Sequence, residues 1–222
     1  RRPRQLLKPV QILAVRRIRL TYSKTGDARF LGHLELATVF ARAVRRAGIP
    51  VRYSGGFHPA PKITFSPPIS LGMESLEEFV DIEIDGYMAS DDARDRLNLQ
   101  LPEGIRIITA SDVPMASPAV TAAVTKADYE VQSPVDSGQW PVVLKDFMGK
   151  ESFIFKKERT GKEYDIRPLV ERLEAVNNKI EMTIKTANEG SIKPGELMQT
   201  LFGLGDEETK LLRIVKTRTY LL

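Results

Sequence analysis

An alternating strand pattern occupies the run Arg17-Ile18-Arg19-Leu20-Thr21-Tyr22-Ser23 near the start of the chain. The apolar side chains of this run fall on one face, because successive side chains of a strand point to opposite sides. Apolar residues then recur at helical spacing from Leu36 to Ala47, and Gly48 supplies a C-terminal cap. A half-buried strand followed by an amphipathic helix is the opening of an α+β unit.

The next elements complete the order of a ferredoxin-like unit. A short strand at Lys62–Ser66 lies inside the Gly- and Pro-rich segment 53–72, and Phe79–Asp85 alternates as a second strand. A helix at about 90–100 and a strand at Ile105–Thr109 follow. The resulting order is β-α-β-β-α-β.

In this topology the first and third strands are neighbours at the centre of the sheet. Arg17 and Arg19 would then face Asp81 and Glu83 on the side of the sheet without helices. We expect cross-strand charge pairs on an open face there.

The same order of elements recurs after a linker at 111–126 that is rich in Ser, Pro, Ala and Thr. The pattern predicts strands at Tyr129–Gln132, Phe153–Lys157, Ile180–Thr186 and Leu212–Tyr220, and helices at Val142–Met148, 167–175 and Pro194–Phe202. We therefore predict an α+β fold of two tandem ferredoxin-like units with antiparallel sheets. The predicted divisions are a leader or linker at 1–15, a first domain at 16–112 and a second domain at 127–222.

The 222 residues contain no cysteine. Disulfides, thiolate zinc sites, iron–sulfur clusters and cysteine nucleophiles are thereby excluded from this chain. No apolar run is long enough for a membrane span or a signal peptide, so we expect a cytoplasmic protein with no membrane partner. The chain starts at Arg1 without methionine, and we expect it to be a piece of a larger fusion.

Charge is distributed unevenly along the chain. Residues 1–62 carry fourteen Lys and Arg side chains against Asp27 and Glu35, a net charge of +12, whereas residues 63–222 carry −8. Such a split indicates a surface that faces a polyanion, or a basic half that is neutralised by the acidic half.

Two segments are the best candidates for a nucleic-acid site. Lys24 and Arg29 flank a Gly-containing turn before a helix N-terminus, where backbone N–H groups favour phosphate. The run from Tyr53 to Lys62 combines glycines, aromatic side chains for base stacking and a lysine for phosphate. The full set of predicted RNA-binding residues is Lys24, Arg29, His33, Arg42, Arg45, Arg46, Tyr53, Phe57, His58 and Lys62.

The chain has only two histidines, His33 and His58. Helical spacing points His33 partly towards the core, where a buried or capping role is common. Two histidines do not by themselves form a zinc site with three protein nitrogens or sulfurs, so we assign no metal. If the rings were close together, they could form a general acid–base pair for metal-independent RNA cleavage.

Several long runs resemble one family. They are Leu20–Leu36, which contains Tyr22-Ser23-Lys24-Thr25-Gly26-Asp27-Ala28-Arg29-Phe30-Leu31-Gly32-His33, and the shorter runs Arg46–Pro50, Ser54–Ile63, Leu71–Ser75 and Leu101–Ile105. Together they are similar to the radical-SAM-associated domain of unknown function, which occurs fused to, or encoded beside, a cobalamin-binding radical SAM protein. The resemblance implies that the iron–sulfur cluster, SAM and cobalamin belong to that partner and that this chain holds no cofactor.

Three functions are compatible with these observations. The first is a non-catalytic accessory domain that binds RNA, tRNA or rRNA, for modification by the radical SAM partner. The second is a protein-interaction subunit that docks on that partner without RNA. The third is a metal-independent endoribonuclease that uses His33 and His58.

Overall fold

The computed structural model describes residues 14–132, 138, 140–157, 160–186 and 192–222. In chain order the elements are β1 (Val15–Lys24), α1 (His33–Arg46), β2 (Ile63–Phe65), β3 (Glu74–Asp85), α2 (Ser90–Asn98), β4 (Ile105–Val113), α3 (Val120–Ala123), β5 (Val124–Gln132), α4 (Trp140–Gly149), β6 (Ile154–Lys156), β7 (Glu163–Asp165), β8 (Val170–Val176), β9 (Lys179–Lys185), α5 (Pro194–Phe202), α6 (Asp206–Lys210) and β10 (Arg213–Leu221). Short 3-10 turns lie at Gly26–Phe30 and Arg167–Leu169.

One eight-stranded sheet runs through the described residues in the order β4-β1-β3-β10-β5-β9-β8, with β2 also paired to β3. Most neighbours are antiparallel, and β3 and β10 pair in parallel. The fold class is therefore α+β, as predicted. β6 and β7 form a separate two-stranded sheet. Among the strands of the large sheet, β1 is adjacent to β3 in the N-terminal half and β5 to β9 in the C-terminal half, which is consistent with ferredoxin-like units. The tandem arrangement and its domain divisions stay predictions.

The core lies between the sheet and the helices. α1 buries Leu36, Phe40, Ala43 and Val44 against the inward face of β1 and β3, in agreement with the helical and alternating patterns. A second buried cluster surrounds Phe147 in the C-terminal half. α1 ends as predicted, because Gly48 adopts a φ of 64° that is costly for other residues.

The helix predicted at 167–175 is wrong. The chain forms the 3-10 turn at Arg167–Leu169 and then strand β8, which pairs with β9. A register irregularity between Val170 and Arg172 places the buried Val170 and Leu173 three residues apart. A spacing of three residues between buried positions is typical of a helix, so the β-bulge explains why the sequence pattern predicted one.

The segment predicted as a linker at 111–126 contacts the sheet. β4 extends to Val113, β5 begins at Val124, and the residues between them, which include α3, cross the face of the sheet that carries Arg17, Arg19 and Asp81. Arg17 donates to the carbonyl oxygen of Ser117 at 2.9 Å, and the Val120 N–H donates to Asp81 at 3.1 Å. The face predicted to be open is therefore covered here, and Asp81 is buried.

The predicted charge pairs on this face are half right. Arg19 forms a bidentate ion pair with Asp81, in which Nε donates to Oδ1 at 2.7 Å and Nη2 donates to Oδ2 at 2.9 Å. Arg17 is opposite Glu83 in the strand register but bonds to backbone carbonyls instead. Glu83 pairs with Lys62 at 3.2 Å.

Side chains of β3 and β10 join the two halves of the sheet; we call this contact the seam. The Lys216 ammonium donates to the Glu78 carboxylate at 2.9 Å, and both side chains are at least 96% buried. Arg213 pairs with Glu74 at 3.1 Å. The backbone N–H and the hydroxyl of Thr219 donate to the Glu77 carboxylate and carbonyl oxygen. Sequence reasoning did not predict this junction.

Candidate functional site

The predicted loop is a hairpin along the edge of the sheet; we call residues 51–63 the edge hairpin. Bridges join Val51 to Ile84 and Tyr53 to Pro61, and the Ser54 N–H donates to the Ala60 carbonyl at 2.8 Å. Its tip presents Phe57 with an exposed fraction of 102%. His58 is exposed and Tyr53 is half-exposed. The tip therefore offers unpacked aromatic surface, as the sequence predicted.

Arginines lie on the adjoining part of α1, which ends at Arg46 just before the edge hairpin begins. Arg42, Arg45 and Arg46 are exposed, in agreement with the helical pattern. Arg46 donates to the Gln100 carbonyl oxygen at 2.7 Å. Within the part of the chain that the structure describes, the guanidinium groups of Arg42, Arg45 and Arg52 have no hydrogen-bond or ion-pair partner. We call Arg42, Arg45, Arg46 and Arg52 the arginine group.

The remaining predicted cations are engaged by the protein itself. Lys24 is only 3% exposed, and its ammonium donates to the Leu31 carbonyl at 2.7 Å. Arg29 lies over the Phe30 ring and 3.9 Å from Glu74, and Lys62 pairs with Glu83. Because Arg16 and Arg19 also pair with carboxylates, the described residues do not gather the positive charge of the first quarter into one surface.

A polar pocket at the start of α1 was not predicted as a site; we call it the Lys24 pocket. It has a volume of about 20 Å³. Its lining is Tyr22, Lys24, Leu31, His33, Leu36, Phe65, Ser66, Pro68, Ile69 and Glu78. His33 lies at the exposed mouth with its ring 5.6 Å from that of Phe65, so it points partly towards the core, as predicted, but it is not buried.

Glu78 is fully occupied at the base of this pocket. Its carboxylate accepts hydrogen bonds from Ser66 at 2.8 Å, Ser75 at 2.8 Å and Lys216 at 2.9 Å. Three donors therefore satisfy the two oxygens of this buried carboxylate. Glu78 therefore forms its ion pair with Lys216, and its charge acts on Lys24 only at longer range.

Burial changes the acid–base properties of the groups beside Glu78. It lowers the pKa of Lys24 below its ordinary value, and the charges of Glu78 and Glu35 oppose that change only in part. Burial, with the charge of Glu78, raises the pKa of Tyr22 well above its ordinary value. A buried amine with a perturbed pKa in a cleft is a common mark of a functional site.

The sequence did carry a signal for this pocket. Lys24 continues the inward-facing series of β1 one step beyond Tyr22, and Glu78 continues that of β3 one step before Val80. The alternation therefore places two charged side chains on the core face.

The two histidines do not form a pair. His33 packs on Phe65, whereas His58 lies beyond Pro61, which is about 13 Å from Phe65 along an extended strand. Among the described residues no hydrogen bond or ring contact joins the two imidazoles. Within the same residues, no group of three His, Asp or Glu side chains is placed to hold a metal ion. No helix of the described chain is long and apolar enough to cross a membrane.

Comparison with known proteins gives a family but no activity. Solved structures similar to this chain include the small subunit of acetolactate synthase from Thermotoga maritima (9% identity, 92% and 94% of the two chains covered, TM-score 0.25). Others are the first two RRM domains of the yeast poly(U)-binding protein Pub1 (12%, 89% and 98%, 0.22) and a dyp-type peroxidase protein from Shewanella oneidensis (9%, 93% and 92%, 0.23). These scores are too low to relate the folds.

No curated protein matches the sequence. A family model does match residues 17–194, which include every predicted RNA-binding residue and the whole lining of the Lys24 pocket. The chain belongs to the family described as an uncharacterized protein conserved in bacteria, DUF2344.

Proposed function

We propose that this protein is an accessory module that binds RNA and presents it to a radical SAM enzyme. The proposal rests on two surface features that follow one another in the chain: the arginine group, on α1 and at the start of the edge hairpin, and the exposed tip of that hairpin. Phe57 and His58 are exposed at the hairpin tip, and Arg42, Arg45 and Arg52 have no partner among the described residues. Exposed rings stack on bases, and unpaired guanidinium groups neutralise phosphates.

The exposure of Phe57 supports a bound ligand at this surface. A folded chain gains nothing from leaving Phe57 fully exposed, since burial of its ring elsewhere would contribute about 1.5–3 kcal/mol. Arg45 and Arg46 also gain from the dipole at the C-terminus of α1, but that effect does not explain the aromatic tip.

The radical chemistry in this proposal belongs to the partner. The chain has no cysteine to ligate an iron–sulfur cluster, so the cluster, SAM and cobalamin would be bound by the radical SAM protein. The support for this partner is the resemblance of the runs around Tyr22–His33 and Ser54–Ile63 to domains fused to, or encoded beside, such proteins.

The test is RNA binding by the full chain, measured by fluorescence anisotropy with a labelled single-stranded RNA and with tRNA. Phosphate contacts make affinity fall with salt, and loss of two contacts should reduce the log–log slope by about 1.4 on single strands. Arg42→Glu/Arg45→Glu should show that reduction, and Phe57→Ala should cost about 1–3 kcal/mol of binding free energy. No binding at low salt would refute the proposal.

The matched control is Lys145→Glu/Lys162→Glu, which changes the net charge by the same amount at exposed positions in the C-terminal half. The proposal requires this variant to retain the wild-type affinity. Equal loss in the control would show that only overall charge matters.

Docking on a protein partner without RNA is the second candidate, and one observation favours it. Phe30 and Leu71 are 54% and 68% exposed beside a cleft of about 830 Å³ whose other wall comes from α5 and α6. Exposed apolar side chains around a cleft mark interaction sites. Leu71→Asp should abolish capture of the purified radical SAM partner while RNA binding is unchanged; retained capture would argue against docking at this cleft.

A further inference from the structure

The Lys24 pocket holds an ammonium group on which the charges of Glu78 and Glu35 act only at longer range than an ion pair. No carboxylate lies within ion-pair distance of the Lys24 ammonium among the described residues, and its one hydrogen bond is to the Leu31 carbonyl. Glu78 is the acidic group in the lining, and it is neutralised by Lys216. Glu35 lies outside the lining, where its carboxylate accepts the Gly32 N–H at 2.7 Å. With Lys24 protonated, the buried set Lys24, Lys216 and Glu78 has a net charge of +1.

The space beside Lys24 suits a single atom. A volume of about 20 Å³ holds one water-sized atom, and ordered occupants of such cavities need two to four polar partners. The ammonium of Lys24, the hydroxyl group of Tyr22 and His33 at the mouth are polar groups of this lining, whereas the Ser66 hydroxyl already donates to Glu78. The other walls, including Leu31, Leu36 and Phe65, are apolar and exclude water.

The electrostatic setting adds to this preference. α1 is fourteen residues long and begins at His33, so its N-terminus lies at the mouth of the pocket. Free N–H groups and the helix dipole favour negative charge at that end. The sign expected for an occupant is therefore negative both at the mouth and at the base.

We propose that the Lys24 pocket binds an anionic oxygen of a small carboxylic acid or phosphate, with Lys24 as its counter-ion at the base and His33 at the mouth. One oxygen enters the pocket, and the rest of the ligand lies outside it, next to His33. This site is separate from the edge hairpin and does not depend on RNA binding.

The experiment titrates the full protein with sodium formate, sodium acetate and inorganic phosphate at constant ionic strength set with sodium chloride. Ligand binding to the native state stabilises it by RT ln(1 + L/Kd), where L is the ligand concentration, so the thermal midpoint rises with the logarithm of L once L exceeds Kd. Lys24→Met is expected to weaken binding at least about tenfold, because it removes one charge-assisted hydrogen bond. His33→Ala, an exposed position, should fold normally and bind more weakly, and the control Lys145→Met should bind as the wild type does.

Each outcome decides the matter. A rise of the thermal midpoint with formate and acetate alone identifies a carboxylate ligand, and a rise with phosphate alone identifies a phosphate ligand. Equal rises in wild type and Lys24→Met, or no rise with any of the three anions relative to sodium chloride at the same ionic strength, overturn the proposal. If Lys24→Met does not fold, the ε-methylene resonance of Lys24 in ¹³C-lysine protein gives the same test, since an unmoved resonance would also overturn it.

Discussion

Replacement of Lys216 by methionine should destabilise the protein strongly, because it leaves the Glu78 carboxylate buried without a cation. The two charged atoms are 2.9 Å apart, and the side chains are 4% and 3% exposed. Ser66 and Ser75 would still donate to Glu78, but hydroxyl groups do not supply the missing charge. Breaking one partner of a buried pair costs about 3–5 kcal/mol, which is a large part of the stability of a typical domain.

The assay is urea unfolding followed by circular dichroism and by the fluorescence of Trp140, the one tryptophan, which is buried in the C-terminal half. The double variant Lys216→Met/Glu78→Gln removes both charges and keeps a hydrogen-bonding group opposite the serines. Its free energy of unfolding should exceed the additive expectation by about 3 kcal/mol. An exposed pair, Lys210 and Glu207, serves as the control, and Lys210→Met should not move the midpoint measurably.

Two results would refute this reasoning. One is a loss below about 1 kcal/mol in Lys216→Met, which would place the pair in the range of exposed ion pairs. The other is strict additivity in the double variant, which would show that the two charges do not interact in the folded protein.

Three further predictions concern single side chains. Gly104→Ala should lower the free energy of unfolding in urea by about 2–4 kcal/mol, because φ is +84° and a Cβ would lie 2.4 Å from the Thr25 carbonyl oxygen. The control Gly48→Ala, where φ is +64° and the space is open, should lower it by only about 1–2 kcal/mol. The Gly26 N–H, and then Arg213 and Arg29, lower the pKa of Glu74 below its ordinary value near 4.5. The stability that Glu74 contributes is therefore present above that value and is lost as the pH falls through the lower folded pKa. In acid unfolding, Glu74→Gln should show a shallower loss of stability than the wild type. Burial lowers the pKa of Lys24 in the folded protein. Between that lowered pKa and the ordinary value near 10.5 the unfolded chain binds more protons, so wild-type stability should rise with pH over this range. Lys24→Met should lack that rise, and an equal rise in both proteins would contradict the assignment.

Local patterns predicted most of the secondary structure because each depends on a few neighbouring residues. The alternation of Ile18, Leu20 and Tyr22 and the cap at Gly48 are decided by local sterics, and both are confirmed. The helix predicted at 167–175 failed because a bulge between Val170 and Arg172 changes the strand period, and the bulge arises from pairing with β9. Pairing between distant segments is not encoded in a local period.

The candidate site was predicted only in part for the same reason. Exposure of Phe57, His58 and the arginines on α1 follows from local composition. The neutralisation of Arg19 by Asp81 and of Lys62 by Glu83 depends on which strands meet, as does the burial of Lys24 beside Glu78. Net charge along the sequence therefore overstated the positive surface of the folded chain.

The continuous sheet has a practical consequence for anyone who divides this protein. A cut between β4 and β5 would leave Glu74, Glu77 and Glu78 of β3 at a bare strand edge, without the basic and hydroxyl groups of β10 that now satisfy them. Unpaired strand edges recruit other strands. The isolated N-terminal half would therefore pair with another copy through β3, or precipitate. Biochemistry on this family is best begun with both halves in one polypeptide.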